Sequence, residues 1–292
     1  LVIINSQRGG PSTGLPTKTE QSDLYQAVYG RNADTPVPVI AASGPDDCFE
    51  VAIEATRVAL RHMTPVFLLT DGYIQNAAGP WMIPDMATFE KIATNPAPAV
   101  PQGADSTAVK RAIWNRNTET LGRPWVHPGM DGLAYRVGGI EKDFNTGDIS
   151  YDAANHQKMT DLRFQKVASV AKFIPPQKVE QGPAKGPLAV VGWGSTHGPI
   201  WRAVEAARKE GIDVAQIHLR WLNPFPSNLR DLLRGYERVL VPEMNMGQLA
   251  TLIRDRIEIP VESLTKVTGQ PFKITEILES IRTHARVAKA AE

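Results

Sequence analysis

The chain has 292 residues, 42% of them apolar, and a formal net charge of +1. That length favours two domains over one and supplies enough apolar side chains for ordinary cores. Near-neutrality, with Lys and Arg scattered along the chain, gives no electrostatic footprint for nucleic acid or an anionic membrane, and the lone Cys48 excludes a disulfide framework or a cysteine-ligated iron–sulfur or zinc centre built by this chain alone.

The opening residues 1–5, LVIIN, are too short and lack the basic flank of a secretory signal, and no apolar run reaches the roughly 20 residues that span a bilayer. The expected location is the cytoplasm. The same residues read as a short buried strand. Such a strand needs sheet partners, and with no methionine before it the chain reads as a piece of a longer polypeptide. A helix follows at 19–30, capped by Thr19 or Ser22 and ending near Gly30. A strand at 37–42 leads into a helix at 43–62, entered through Ser43 and Asp46, with Val51, Ala55, Val58 and Ala59 on one face. The buried strand at 64–71 completes the rhythm of the last part of a doubly wound α/β sheet.

Residues 77–183 are rich in proline and glycine and read as an irregular connection with one helix, at 154–173. From residue 184 the α/β alternation returns. A strand and turn at 186–195, a helix at 198–211, a strand at 213–222, a helix at 227–236, a strand at 237–243, a helix at 245–258 and a closing helix at 272–288 predict a complete three-layer domain over 184–292.

Arg8 stands just past the opening strand, where ligands collect in parallel α/β sheets, and Gly9, Gly10 and Gly14 allow close backbone approach to a ligand. Its guanidinium matches a carboxylate, with Lys18 offering a second positive charge; equally, Arg8 reads as a structural arginine paired with a neighbouring loop acid. The segment is not a phosphate loop, because Ser12 and Thr17 occupy its glycine positions ahead of Lys18 and Thr19. GWGSTHG at 192–198 lacks the third glycine of a dinucleotide fingerprint and reads as a plain strand-to-helix turn. Cys48, in the first turn of a helix, reads as a small buried residue rather than a nucleophile. His127, His156, His197 and His218 stand alone in the sequence, His62 and His284 fall near helix ends, and capping or surface roles are expected for them. Asp71 and Glu243 end strands and are expected to bond loop amides.

The string QRGGPSTGLPTKTEQSDL at 7–24 resembles the substrate loop of the 2-oxoacid:ferredoxin oxidoreductase alpha subunits, thiamine-diphosphate enzymes, and in particular the 2-oxoglutarate type. The resemblance runs on through YGRNADTPVPVIAASGPDDCFEVAIEATRVA, NHQKMTDLRFQKV, VVGWGSTHGPI, LRWLNPFPSNL, VLVPEMNMGQLATLIR and KVTGQPFKITEI, in the same order. It implies that residues 1–76 are the end of a pyrimidine-binding domain, that 77–183 is a connection, and that 184–292 is a transketolase C-terminal-like domain. It further implies oxidative decarboxylation of a 2-oxoacid, most closely 2-oxoglutarate, to an acyl-coenzyme A with ferredoxin as electron acceptor. Arg8 would bind the substrate carboxylate, and Thr13 and Lys18 would line the same region. Thiamine diphosphate and magnesium would be held largely by a beta subunit that also carries a 4Fe–4S cluster, within a heterotetramer. Neither nucleic acid nor membrane enters as a partner. Pyruvate and branched-chain substrates, and a non-catalytic scaffold role, are the alternatives. The family's threonine-bearing YPITPS segment and its cofactor-activating glutamate lie upstream of the opening strand, so these 292 residues are expected not to be catalytic alone. The chain departs from its relatives at TDGY (70–73) and GIEK (139–142), where local packing or subunit contacts are expected to differ.

Overall fold

The computed structural model describes residues 1–101 and 103–290. The first half begins with strand β1 (Val2–Gln7), helix α1 (Leu24–Tyr29), strand β2 (Val39–Ala41), helix α2 (Cys48–His62), strand β3 (Val66–Asp71) and the short helix α3 (Gly72–Asn76). Strands β1, β3 and β2 lie parallel in that order. Helix α2 covers one face: Val51, Ala55, Val58 and Ala59, at helical spacing, bury against Ile40, Val66 and Leu68. Because β1 and β3 run the same way, the carboxyl ends of both strands, at Gln7 and Asp71, lie side by side.

Helices α4 (Ser106–Trp114) and α5 (Ala153–Ser169) follow, each capped by an aspartate, Asp105 and Asp152, whose side chain accepts a first-turn amide. The stretch expected to be irregular with a single helix therefore holds two helices. Helix α4 escapes a sequence reading because it is only nine residues long and lies in a proline-rich stretch, although Val109, Ala112 and Ile113 give it an apolar stripe. Strand β4 (Val179–Gln181) closes this stretch and joins the second sheet.

The second sheet adds β5 (Gly186–Trp193), β6 (Ala215–Leu219), β8 (Tyr236–Glu243) and β9 (Glu262–Thr265), in the order β4-β6-β5-β8-β9. All neighbours are parallel except β4 against β6. Helices α6 (His197–Lys209), α7 (Leu229–Leu233), α8 (Gln248–Ile257) and α9 (Ile274–Ala290) complete the layers. Along β5 the side chains alternate: Leu188 and Val190 pack under α6 and α9, while Ala189, Val191 and Trp193 join the core that contains α8. Strand β9 is four residues long and mostly exposed, which hides it from a hydrophobicity pattern.

The strand expected at 213–222 breaks at Arg220. Its first part is β6; its last two residues, with Asn223, form β7 (Trp221–Asn223), which leaves the second sheet and pairs antiparallel with β2 of the first. Arg220 is turned aside at the break by Asp47, just ahead of α2, and by Glu54 within it, and Trp221 Nε1 donates to Glu54 Oε1 at 2.7 Å. One apolar cluster accordingly spans both sheets, taking in Val39, Ala41 and Leu69 of the first, Trp193, Ile217 and Val241 of the second, and Leu24, Leu229 and Leu252 of α1, α7 and α8. The two sheets share one core, which fixes the seam between them.

Two expected helix entries differ from those observed. Thr19 and Ser22 do not cap α1, which starts only at Leu24; both point elsewhere, as described below. At α2 it is Asp47, not Asp46, that turns back to accept from the amide and hydroxyl of Ser43.

Candidate active site

The site forms where β1 ends. Gln7 is buried and spends its side chain on the backbone: Nε2 donates to the Thr70 carbonyl at 3.0 Å, and Oε1 accepts from the Asp23 amide at 3.0 Å. Arg8 is the next residue and turns out to the surface. The loop then closes on itself through Gly9 N to Lys18 O (3.1 Å), Leu15 N to Gly9 O (2.6 Å) and Lys18 N to Leu15 O (3.3 Å). Ser12 and Thr17 take left-handed backbone angles, φ 65 and 61, a conformation non-glycine residues adopt only when surrounding bonds hold them.

Arg8 rests on Gly14. A Cβ at Gly14, where φ is +91, would come within 2.6 Å of Arg8 Cγ, so glycine is what leaves room for the arginine stem. The Arg8 carbonyl accepts from Ser22 Oγ at 3.2 Å, while the guanidinium makes no hydrogen bond or ion pair with the described residues. Among the described residues, the loop acid that a structural reading of Arg8 calls for is not at its guanidinium. Thr13 is exposed with a free hydroxyl. Lys18 is exposed as well, and its stem lies across Gly269, where an added Cβ would meet Lys18 Cβ at 2.7 Å. Arg8, Thr13 and Lys18 are thus all exposed in the one loop that leaves the carboxyl end of β1.

The second half of the loop is anchored to the second sheet. Thr19 N donates to Gly269 O at 3.1 Å. Gln21 is fully buried and acts as a pin: Nε2 donates to Trp193 O at 2.7 Å, Oε1 accepts from Met244 N at 2.9 Å, and its carbonyl accepts from Asn245 Nδ2 at 2.8 Å. Gln248 Nε2 reaches the Ser22 carbonyl at 2.8 Å. Sequence reasoning missed Gln21 and Gly269 because their work is across the seam, at separations of more than 170 residues.

The strand-end acids behave as expected of structural groups. Asp71 caps α3, accepting from the amides of Tyr73 (3.0 Å) and Ile74 (3.1 Å), from Thr19 Oγ1 (3.1 Å) and from Ser195 N (3.3 Å). Glu243 accepts from the amides of Leu249 (2.7 Å) and Ala250 (3.1 Å), from Asn245 Nδ2 (3.1 Å) and from Trp193 Nε1 (3.2 Å). Burial raises the Glu243 pKa, and these donors act against that rise. The GWGSTHG turn is a strand-to-helix turn filled from within: the Asp71 carboxylate sits at its amides, and a Cβ on Gly192 would strike Ile200 Cδ1 at 2.4 Å.

Cys48 is half-buried; burial and the neighbouring Asp47 and Asp46 raise its thiol pKa, opposite to what a nucleophile needs. His197 and His218 do not stand alone: β6 and α6 bring their rings to 4.8 Å, edge to face, and His197 also bonds Glu180 at 2.9 Å. Burial, then His197 and Arg220, hold the His218 pKa well below its ordinary value. His62 is not a cap but a core residue, edge-on to Phe173, and burial lowers its pKa to about 4. His284 lies within α9 and bonds Glu262 at 2.8 Å. Among the described residues no group of three or more His, Cys, Asp or Glu is placed to hold a metal ion, and no helix is long and apolar enough to cross a membrane.

Two family models match the chain. Residues 1–121 match the pyruvate flavodoxin/ferredoxin oxidoreductase thiamine-diphosphate-binding domain, and residues 187–277 match core domain II of pyruvate:ferredoxin oxidoreductase. The 2-oxoglutarate oxidoreductase subunit KorA of Mycobacterium tuberculosis is 45% identical over 282 residues, covering 97% of this chain and 42% of that protein. The 2-oxoglutarate synthase subunit KorA of Methanothermobacter marburgensis is 27% identical over 285 residues, covering 96% and 72%. A solved 2-oxoglutarate:ferredoxin oxidoreductase from Magnetococcus marinus, with 2-oxoglutarate, coenzyme A and succinyl-CoA bound, superposes with a TM-score of 0.84 at 28% identity, covering 97% of this chain and 48% of that one. The chain therefore spans less than half the length of the Mycobacterium relative.

Proposed function

Because the chain belongs to the family of 2-oxoacid:ferredoxin oxidoreductase alpha subunits, we propose that it supplies the carboxylate grip of an enzyme that oxidatively decarboxylates 2-oxoglutarate. The observation that carries this reading is the unpaired Arg8 guanidinium, held over Gly14 at the carboxyl end of a parallel strand. The loop fits a cofactor-bearing cleft in that Gly10 projects no side chain and has open space where a Cβ would be. Thiamine diphosphate, when bound, supplies the electron sink that lets carbon dioxide leave a 2-oxoacid. Arg8 contributes orientation: two parallel N–H···O bonds fix the plane of the C1 carboxylate until it departs. The Thr13 hydroxyl and Lys18 ammonium line the same surface, Lys18 within reach of a second negative charge.

A 2-oxoglutarate substrate is favoured by the 45% identical Mycobacterium relative and by the ligand in the Magnetococcus structure. Magnesium and the cofactor diphosphate are assigned to a beta partner. So is a 4Fe–4S cluster, which needs about four cysteine ligands, whereas this chain has one cysteine. Ferredoxin then takes the electrons and coenzyme A the acyl group. The test is Arg8→Ala in the assembled enzyme. Turnover of 2-oxoglutarate should fall by about 10²-fold or more, with the subunits still co-eluting. Unchanged turnover would favour a scaffold role, and a 2-oxoacid panel led by pyruvate or a branched-chain acid would move the substrate assignment.

A further inference from the structure

A cavity of about 390 Å³ opens where the two halves of the chain meet, at a place the proposed activity does not use. Its walls come from the end of α1 and the loop after it, from α5, from the end of β7 and from α8. Asn223, on the β7 wall, lies opposite Val39 at the level of Ile3. That level is five residues, or about 16 Å of strand, short of Arg8. Much of the lining is apolar: Val28, Pro36, Val167, Ala168 and Pro224 contribute to it, and so does Phe164 of α5, a phenylalanine left half exposed.

Two arginines border the cavity, and the fold uses them differently. Arg31 spends all its N–H groups on the carbonyls of Gln26, Ala27, Val28 and Thr35, which shapes the loop and leaves no donor for a ligand. Arg256 gives Nη1 to Asn223 Oδ1 at 2.6 Å and Nη2 to the Tyr29 hydroxyl at 3.3 Å, with Cζ 5.5 Å from the Tyr29 ring centre. Asn223 is itself buried and fixed, its Nδ2 donating to the Val37 carbonyl at 2.6 Å. The plane of the Arg256 guanidinium is thus set by neutral acceptors, and most of its donors remain. Among the described residues no carboxylate pairs with Arg256, and the Tyr29 hydroxyl, having accepted from it, donates to none of them.

A guanidinium offers a carboxylate a planar fork, and here the fork is already oriented beside an apolar lining. The volume lies at the small end of the roughly 300–1,000 Å³ of small-molecule pockets. Asp34 is the one acid on the wall; it is exposed and bonds none of the described residues. Its charge opposes a second anionic group on a ligand and offers a seat to an ammonium.

We infer that this cavity binds a small monocarboxylate with an apolar body, the carboxylate on Arg256 and the Tyr29 hydroxyl and the body against Phe164 and Val167. The source is either a free aliphatic or aromatic acid or an apolar amino acid, whose ammonium Asp34 would meet. Such a ligand ties α1, α5 and α8 together and raises the stability of the seam.

The test is calorimetric titration and thermal melting of the full chain with 3-phenylpropanoate, 4-methylpentanoate and leucine, each set against its carboxamide. One equivalent of acid should bind and raise the melting temperature, and the amide should bind at least about tenfold more weakly. Arg256→Gln should weaken binding of the acids by about tenfold or more and remove their advantage over the amides. Because that variant also loses the bonds to Asn223 and Tyr29, Phe164→Ser, at a half-exposed position, provides a second arm: binding should weaken several-fold with the melting temperature of the free protein little changed. Leucine binding tighter than 4-methylpentanoate, with the difference lost in Asp34→Asn, points to an amino acid, and the reverse order to a free acid. No saturable binding of any acid, amides that bind as tightly as the acids, or binding that survives both Arg256→Gln and Phe164→Ser overturns the inference.

Discussion

Arg8 and Glu243 occupy equivalent places, one just beyond and one at the carboxyl end of a parallel strand, and the fold treats them in opposite ways. Glu243 is fully buried and accepts four hydrogen bonds, two of them from the opening turn of α8. Arg8 is exposed, and only its backbone carbonyl is used. A charge at a strand end is therefore not a site by position alone. What separates the two is whether the surrounding chain has consumed the group's hydrogen-bonding capacity. Asp71 falls with Glu243 in this respect, joining α3, the Arg8 loop and the turn before α6 at one carboxylate.

The comparison breaks most readily by removing each charge in turn. Glu243→Ala strands buried amide and indole donors, and the expected loss of stability is about 2–4 kcal/mol. Arg8→Ala removes no bonded group, and its stability should stay within about 0.5 kcal/mol of the parent. Urea unfolding of the two variants checks both. A loss of comparable size at Arg8 would mean that its guanidinium is structural after all.

His62 extends the contrast to a group whose charge the fold suppresses. Burial lowers its pKa from 6.5 to about 4. Below pH 6.5 the unfolded chain takes a proton at His62, whereas the folded chain does not until about pH 4. Stability is thus lost as pH falls through that window, by up to about 3 kcal/mol. His218, held well below its ordinary pKa by burial, adds in the same direction. A His62→Leu variant should show a shallower decline of unfolding free energy between pH 6.5 and 4, measured by denaturant titration at each pH. An equal slope would place the acid sensitivity elsewhere.

Local pattern made much of this legible before any coordinates. The stripe Val51, Ala55, Val58, Ala59 is the buried face of α2, and the Arg8 loop follows β1 as its glycines require. What escaped was whatever depends on distant partners. Residues 213–222 look like one apolar strand, yet β7 is taken by β2 because Asp47 and Glu54, more than 160 residues away, draw Arg220 aside. Helix α4 is nine residues long in a proline-rich stretch, too short for its apolar stripe to stand out, and β9 is mostly exposed, so it writes no period in hydrophobicity. Within the loop, Arg8 and Lys18 stood out by their charge and Thr13 only through the family resemblance, whereas Gln21 and Gly269 did not. Their importance lies in the seam, and a lone buried glutamine or a glycine in TGQP carries no local signature.

The contact between Gly14 and Arg8, within the loop itself, can be tested directly. Gly14→Ala adds a Cβ 2.6 Å from Arg8 Cγ at a φ of +91. The arginine must move, and the loop pays about 1 kcal/mol in backbone strain. Turnover in the assembled enzyme should fall about tenfold with the substrate-loop charge intact, separating the position of Arg8 from its mere presence. Arg8→Lys, which keeps the charge and loses the fork, should fall at least as far.

The smallest expected effect concerns Lys18, whose stem is held across Gly269 of the second half while its ammonium is left unpaired. An exposed ion pair is worth about 0.2–1 kcal/mol, so Lys18→Gln should raise KM for 2-oxoglutarate only about two- to fivefold. Its value lies in selectivity. On the proposed reading Arg8 would meet a carboxylate that every 2-oxoacid carries, so its loss should depress all substrates alike. If Lys18 meets a second charge, which 2-oxobutyrate lacks, KM for 2-oxobutyrate should be unmoved by Lys18→Gln. Steady-state kinetics on the two acids decide it: a parallel rise for both would make Lys18 a support for the loop, and Gly269→Ala, which pushes on the lysine stem, would then reproduce it.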